Sequence, residues 1–323
     1  MAAISETIAP SAAKKHLRPF DVRRDLGEVA DLVELCFADT LDSDGRDYLR
    51  RMRSAANSSS LLSMAQGWSS APMTGFVWEE NERIIGNLSL IPYFLKARRC
   101  FLIANVAVHP NHRREGIARQ MTEAGIRYAR ERHAPSVWLH VREHNEAALG
   151  LYRSQGFAQR AVRTTWHASP DPAIAENSAG LRFISPGKGN WPQVRTWLDE
   201  SYPPELTWHM PFHLNSLRPG LLGTIASMAY NTYVRLWGAV QAGQLRAAAA
   251  WQATGSSSNL LWLAAPEGGD PLVVQALLEH ILKRAPTRRG LLLEFPARRF
   301  DQAIRLSGFT EQQTLVWMEL GLD

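Results

Sequence analysis

The stretch Phe101–Arg132, FLIANVAVHPNHRREGIARQMTEAGIRYARER, decides how the chain is read. It opens with an apolar, β-branched run from Phe101 to Val108, the pattern of a buried strand, which His109, Pro110 and Asn111 bring to an end. Past Arg113, Arg114, Glu115 and Gly116, the apolar residues Ile117, Met121, Ala124, Ile126 and Ala129 recur at the spacing that gives a helix one apolar face. The unit is a strand, a basic loop and a helix. A helix N-terminus carries unpaired N–H groups and the positive end of the macrodipole, so the loop is placed to take an anion, with phosphate the first candidate. Gly116 lets a ligand come close to the backbone, Arg113 and Arg114 can grip an anion in a fork, and Ala118 keeps the next position small. Taken alone, these residues also fit an ordinary crossover with solvated arginines.

Downstream, Ser136–Val141 reads as a strand, Asn145–Gln155 as an amphipathic helix closed by Gly156, and Val162–His167 as a final strand. Upstream, Leu17–Phe20 reads as a first strand and Leu26–Phe37 as a helix with Asp25 as its N-cap. A second helix is expected from Asp44 to Ser54, with a polar break at Asn57–Ser60. Thr74–Trp78 and Arg83–Leu90 form two strands of a hairpin, with Gly86 suited to a bulge. This order predicts an α/β fold with a mixed sheet.

The residues Arg113-Arg114-Glu115-Gly116-Ile117-Ala118 fit every specified position of the phosphate motif Q/R-x-x-G-x-G/A, and V-A-V-H-P precedes them. The chain thereby resembles the GNAT acyl-CoA-dependent N-acyltransferases. That resemblance implies acetyl-CoA as co-substrate, lying between the fourth and fifth strands with its pyrophosphate on Arg113, Arg114, Glu115, Gly116, Ile117 and Ala118. It implies that Val106, Ala107 and Val108 offer their backbone to the pantetheine arm, where an N–H could polarise the thioester carbonyl. It also implies that Asn145 and Ala148 contact the arm and that Tyr152 protonates the departing thiolate. Asn145 and Tyr152 are seven residues apart, about two helical turns, so they share a face. Read by themselves, Asn145 is a helix cap and Tyr152 a core aromatic.

The chain then repeats itself. Leu260–Pro266 (LLWLAAP) aligns on Ala104–Pro110 (ANVAVHP), Leu272–Lys283 on the crossover helix, Leu291–Phe295 on Val137–Val141, and Gly308-Phe309 on Gly156-Phe157. In this second copy Gly269 and Asp270 stand for the arginine pair, Leu272 for Gly116 and Ile304 for Tyr152. Asp270-Pro271 makes a good helix cap and first residue, and its carboxylate would repel phosphate. The expected plan is a loose tail over 1–16, a GNAT-like domain over 17–168, a Pro- and Asn-containing linker over 169–180 and a degenerate second domain over 181–323. The degenerate copy is expected to be structural, dimer-forming or cleft-completing. The tandem plan resembles the mycothiol synthase group, but there the active copy is the C-terminal one, so this chain reverses the pattern and that group's substrate is not carried over.

A length of 323 residues suits two cores, and an apolar content of 45% supports them. The net charge of +5 is modest and forms no long basic run, which argues against a nucleic-acid partner and suits attraction of an anionic nucleotide. Cys36 and Cys100 stand far apart without metal-ligand spacing, and no apolar run approaches the ~20 residues that span a bilayer. The reading is a cytoplasmic acetyltransferase acting on a primary amine of a small molecule or peptide, with a homodimer left open and no metal. The general base is not singled out: Asp39, Asp42, Glu79, Glu80 and His140 are all candidates. The rival is an acyl-CoA-binding sensor or interaction module without turnover.

Overall fold

The computed structural model describes residues 15–41, 43–56, 74–95, 97–175, 180–207, 214–220, 233–254, 258–286 and 289–322. The chain has a mixed α/β fold and divides into two compact units. One comprises Met1–Tyr93, Arg98–Leu139 and Leu320–Asp323, and the other Phe94–Ala97 and His140–Glu319. The Asn57–Ser60 break and Asp42 lie outside the described residues.

The first unit holds β1 (Lys15–Pro19), α1 (Val22–Phe37), α2 (Ser43–Ala56), β2 (Gly75–Glu80), β3 (Arg83–Leu95), β4 (Arg98–Val108), α3 (Ile117–Arg130) and the start of β5 (Ser136–Arg142). Its strands lie in the order β1-β2-β3-β4-β5. Lys15 and His16, expected in the tail, already pair with Glu80 and Glu79. Helix α1 starts before the expected residue, so its cap is Asp21 and not Asp25: extended backbone at Asp21 lets its carboxylate accept from Arg23 N at 2.9 Å. Asp25 is instead buried inside the helix, 1% exposed, where Arg18 Nη1 meets its Oδ2 at 2.6 Å.

Two irregularities set the faces of this sheet. Side chains alternate along a strand, so residues an even number apart share a face unless an extra residue intervenes. In β3, Ile84 joins the core made with α1 and α2 (Leu26, Val29, Leu49, Met52), yet a Cβ on Gly86 would meet Ile117 and Met121 of α3. The expected bulge accounts for it, because the register slips between Trp78↔Gly86 and Glu79↔Ile84. In β4, Ile103 lies against Gly125 of α3 whereas Ala107 belongs to the α1–α2 core. Between them Asn105 sits at φ +51°, an uncommon left-handed residue inside a strand. Strands β4 and β5 run parallel over Phe101–Ile103 and Val137–Leu139, and β4 continues to Val108 beyond the last pair.

The second unit contains α4 (Glu146–Ser154), β6 (Ala158–Ala168), β7 (Leu181–Ile184), α5 (Trp191–Ser201), α6 (Pro204–Thr207), β8 (Val234–Gln241), β9 (Gln244–Gln252), β10 (Ser258–Ala264), α7 (Pro271–Arg284), β11 (Gly290–Pro296), α8 (Asp301–Leu306) and most of β12 (Thr310–Gly321). Its strand order is β12-β6-β11-β10-β9-β8-β7 around a core rich in tryptophan, including Trp166, Trp197, Trp237 and Trp262. Strand β6, read from the sequence as closing the first copy, pairs antiparallel with β11 on one side and β12 on the other. Flanked on both sides, it leaves few backbone groups unpaired.

The internal repeat is visible in the hydrogen bonding. Phe157 N donates to Tyr152 O (3.1 Å) and Gly156 N to Arg153 O (3.0 Å), with Gly156 at φ +91°. Phe309 N donates to Ile304 O (3.3 Å) and Gly308 N to Arg305 O (3.1 Å), with Gly308 at φ +100°. Only glycine takes these angles without strain, which is why the Gly-Phe pair marks both helix ends.

Candidate functional site

The basic loop has the backbone that its glycine implies. After the short turn Pro110–His112, Arg113 is extended, Arg114 adopts φ +68°, and Gly116 caps α3 at φ +79° without a side chain. Arg113, Arg114, Glu115 and Gly116 are exposed, while Ile117 is buried against the sheet and fixes the helix start. A Cβ on Gly116 would find nothing nearer than Gln120 Nε2 at 3.9 Å, so the approach to the backbone is open. Two guanidinium groups, the first N–H groups of a 14-residue helix and an open glycine are the groups that could take an anion here. Glu115, the carboxylate within this loop, lies 3.4 Å from His112 Nδ1, which is also 3.3 Å from Glu80 Oε2. Ala118 is half-buried, and its carbonyl accepts from Thr122 Oγ1 at 2.7 Å.

Val106 and Val108 are half-buried and Ala107 fully buried. Cys36 of α1 donates from Sγ to Val108 O at 3.3 Å; burial pushes its thiol above the ordinary range although nearby Arg113 pulls the other way. Three residues that the sequence reading did not single out sit at the bend of β4. Asn87 Nδ2 donates to Asn105 O at 2.9 Å, and the Asn105 side chain interacts with the Tyr48 phenol of α2. Burial raises the Tyr48 pKa, with Asn105 and Arg51 opposing. Asparagine is poorly suited to strands, so its appearance inside two apolar runs was the available signal.

In the second unit, Asn145 caps α4, its Oδ1 accepting from Ala148 N at 3.1 Å. Tyr152 is 6% exposed and packs edge-on against Phe157, with ring centroids 5.9 Å apart. Burial pushes its phenol up to about 12. Of the base candidates, Glu79 is buried; desolvation pushes its carboxyl up, but Arg18 at 2.6 Å and Arg24 at 3.0 Å outweigh this and hold it below the usual range. It is bound up in a structural ion cluster. His140 packs against Trp317 with the rings tilted by 38° and centroids 3.7 Å apart. No group of three or more His, Cys, Asp or Glu among the described residues could hold a metal.

The second copy is closed where the first is open. Asp270 caps α7, accepting from Leu272 N at 2.9 Å, and Pro271 follows it. Along β10, the strand matching β4, Leu263 N donates to the Tyr202 hydroxyl at 3.1 Å and Arg299 binds the carbonyl of Ala265. Tyr202 is 1% exposed, and burial keeps its phenol protonated. At the positions that match Ala107 and His109, the strand backbone is thus engaged by the protein's own side chains.

The Acetyltransferase (GNAT) family model matches residues 38–157. The ribosomal protein bS18-alanine N-acetyltransferase of Escherichia coli (strain K12) is 36% identical over 67 residues, 21% of this chain and 45% of that protein. The mycothiol acetyltransferase of Thermomonospora curvata is 38% identical over 65 residues, 20% of this chain and 22% of that one. The chain thus spans less than half the length of these curated relatives. Among solved structures, a GCN5-related N-acetyltransferase from Sphaerobacter thermophilus superposes with TM-score 0.57 at 15% identity, covering 95% of both chains. A tandem GNAT protein from the clavulanic acid biosynthesis pathway reaches TM-score 0.50 at 15% identity over 95% of this chain and 98% of that one. The fold is therefore that of GNAT proteins, and residues 38–157 match the model of the Acetyltransferase (GNAT) family.

Proposed function

We propose that the chain moves an acetyl group from acetyl-CoA to a primary amine of a small molecule or peptide, by direct attack within a ternary complex. The observation that carries this reading is the loop from Arg113 to Ala118, with its left-handed Gly116, open backbone and paired arginines at the start of α3. These groups suit a pyrophosphate, and their family match supplies the chemistry. Acetyl-CoA, when bound, supplies the thioester. The Val106 N–H would donate a hydrogen bond to the thioester oxygen as negative charge grows there. Tyr152 would give its proton to the thiolate as the C–S bond breaks, while the attacking amine loses one proton to solvent as the C–N bond forms and solvent reprotonates the tyrosine; a phenol with its pKa pushed up to about 12 is protonated at neutral pH. Asn145 and Ala148 line the pantetheine arm beside it.

Similar proteins are named as acetyltransferases of ribosomal protein bS18 alanine, of mycothiol and of streptothricin, which supports an amine as the acceptor class proposed here. No helix among the described residues is long and apolar enough to cross a membrane. Calorimetry with acetyl-CoA on the wild type and on Arg114→Glu/Gly116→Trp tests the cofactor site. Binding lost in the double variant is the expected result. Equal binding by both proteins would refute the loop as the site, and no binding by the wild type would refute the acetyltransferase reading.

A further inference from the structure

The left-handed residue inside β4 is held from two sides. Asn87 of β3 is 1% exposed and its Nδ2 donates to Asn105 O at 2.9 Å, with Ser89 Oγ a longer neighbour at 3.4 Å. On the same residue, the Asn105 side chain engages Tyr48. A buried amide is costly unless its hydrogen bonds are made, and an apolar residue would fill that place in the sheet more cheaply. The shorter of the two hydrogen bonds from Asn87 Nδ2 goes to one peptide carbonyl, that of Asn105.

That carbonyl shares a peptide plane with the N–H of Val106. Every described peptide bond is trans, so the oxygen of Asn105 and the hydrogen of Val106 point in opposite directions. Fixing the oxygen on Asn87 therefore fixes the Val106 N–H, aimed away from Asn87. The φ of +51° at Asn105 is what turns this peptide out of the regular ladder, and it also moves Ala107 to the opposite face from Ile103. We infer that Asn87 is a positioning residue for acyl transfer: it holds the Asn105–Val106 peptide so that the Val106 N–H faces the thioester carbonyl, while Tyr48 steadies the Asn105 side chain. This rests on the acetyltransferase reading above.

The test needs no acceptor. Infrared difference spectra of bound acetyl-CoA, carbonyl-labelled with carbon-13, are recorded on the full-length wild type, Asn87→Leu, Asn105→Gly and Asn105→Val. In the wild type the carbonyl stretch should fall to lower wavenumber than in free acetyl-CoA. Asn87→Leu should bind acetyl-CoA within about threefold of wild type, a small change in free energy, but return the stretch towards its free position. Asn105→Gly, which tolerates a positive φ, should keep the shift, and Asn105→Val should lose it. If Asn87→Leu does not fold, Asn87→Ser, which is too short to reach the carbonyl, takes its place. An unchanged shift in a folded Asn87 variant, or equal spectra from the two Asn105 variants, would overturn the positioning role and leave the acetyltransferase reading standing. A wild type that does not bind acetyl-CoA would overturn both.

Discussion

Replacing Gly86 by alanine should disturb the anion loop from across the sheet. A Cβ there would lie 2.9 Å from Trp78 Cβ, 3.0 Å from Ile117 Cγ2 and 3.1 Å from Met121 Sδ. The methionine sulfur can swing away, but the Trp78 Cβ is tied to backbone, and Ile117 is the first residue of α3, next to Gly116. Overpacking of this kind costs about 1–3 kcal/mol, offset by the roughly 0.4–1 kcal/mol that an alanine gains by restricting the unfolded chain. The net is a loss on the order of 1–2 kcal/mol, or a fall in Tm of about 2–8 °C at ~2–4 °C per kcal/mol. Gly150 supplies the control: it lies within α4 with nothing inside 4 Å of its Cβ position, so Gly150→Ala should stabilise by roughly 0.5–1 kcal/mol. Thermal unfolding and acetyl-CoA calorimetry read both variants. If Gly86→Ala matches the wild type in Tm and affinity while Gly150→Ala behaves as expected, close packing of α3 on β3 does not set the loop.

Tyr152→Phe should keep acetyl-CoA affinity and lose about 10²-fold or more in kcat, the usual worth of a general acid; unchanged turnover in a thiol-release assay would remove Tyr152 from the mechanism. Arg18→Met leaves buried Asp25 and Glu79 with only the more exposed Arg24 beside them and should cost up to about 3 kcal/mol by chemical denaturation. Glu79 has a folded pKa below its unfolded value of about 4.3, so its contribution is present above that pH and is lost as pH falls through the folded pKa. In Arg18→Met that acid-side loss should shrink, and an equally steep fall in Tm between pH 5 and pH 3, values chosen to bracket the unfolded pKa, would contradict the assignment. Calorimetry should give a single acetyl-CoA site per chain, since Tyr202 and Arg299 already occupy the β10 backbone groups.

Local signals carried most of what could be read from the residues. The strand, basic loop and helix of 101–132, the Gly-Phe helix ends and the Asp270-Pro271 cap each depend on a few neighbouring residues, and each stands where the periodicity and turn chemistry put it. What escaped is non-local. Asp25 looked like a cap because its partners, Arg18 and the strand residue Glu79, come together only in the folded sheet. Glu79 is one of several candidate bases in the sequence, and its ion cluster with Arg18 and Arg24 shows only in the folded sheet. Asn105 gave no periodic clue, because one left-handed residue shifts the alternation of everything after it. The Tyr202 hydroxyl meets Leu263 across 61 residues, and no spacing rule reports a contact of that range.

The C-terminal copy is packed at the positions that match the candidate site of the first. Its anion loop has become an aspartate cap, its strand backbone is paired with Tyr202 and Arg299, and Ile304 is fully buried where the first copy has Tyr152. Each change fills a ligand's place with protein, which favours a packed core over a cleft. Yet β11 and β12 flank β6, the strand that follows Tyr152 and Phe157. A chain cut after Ala168 would strip β6 of both partners, baring two sets of backbone donors and acceptors together with the core face around Trp166, which is 0% exposed in the intact chain. Such a truncation should aggregate, while co-expression with residues 169–323 should restore a soluble pair. A soluble, monomeric truncation with native-like circular dichroism would show that β6 does not depend on the second copy.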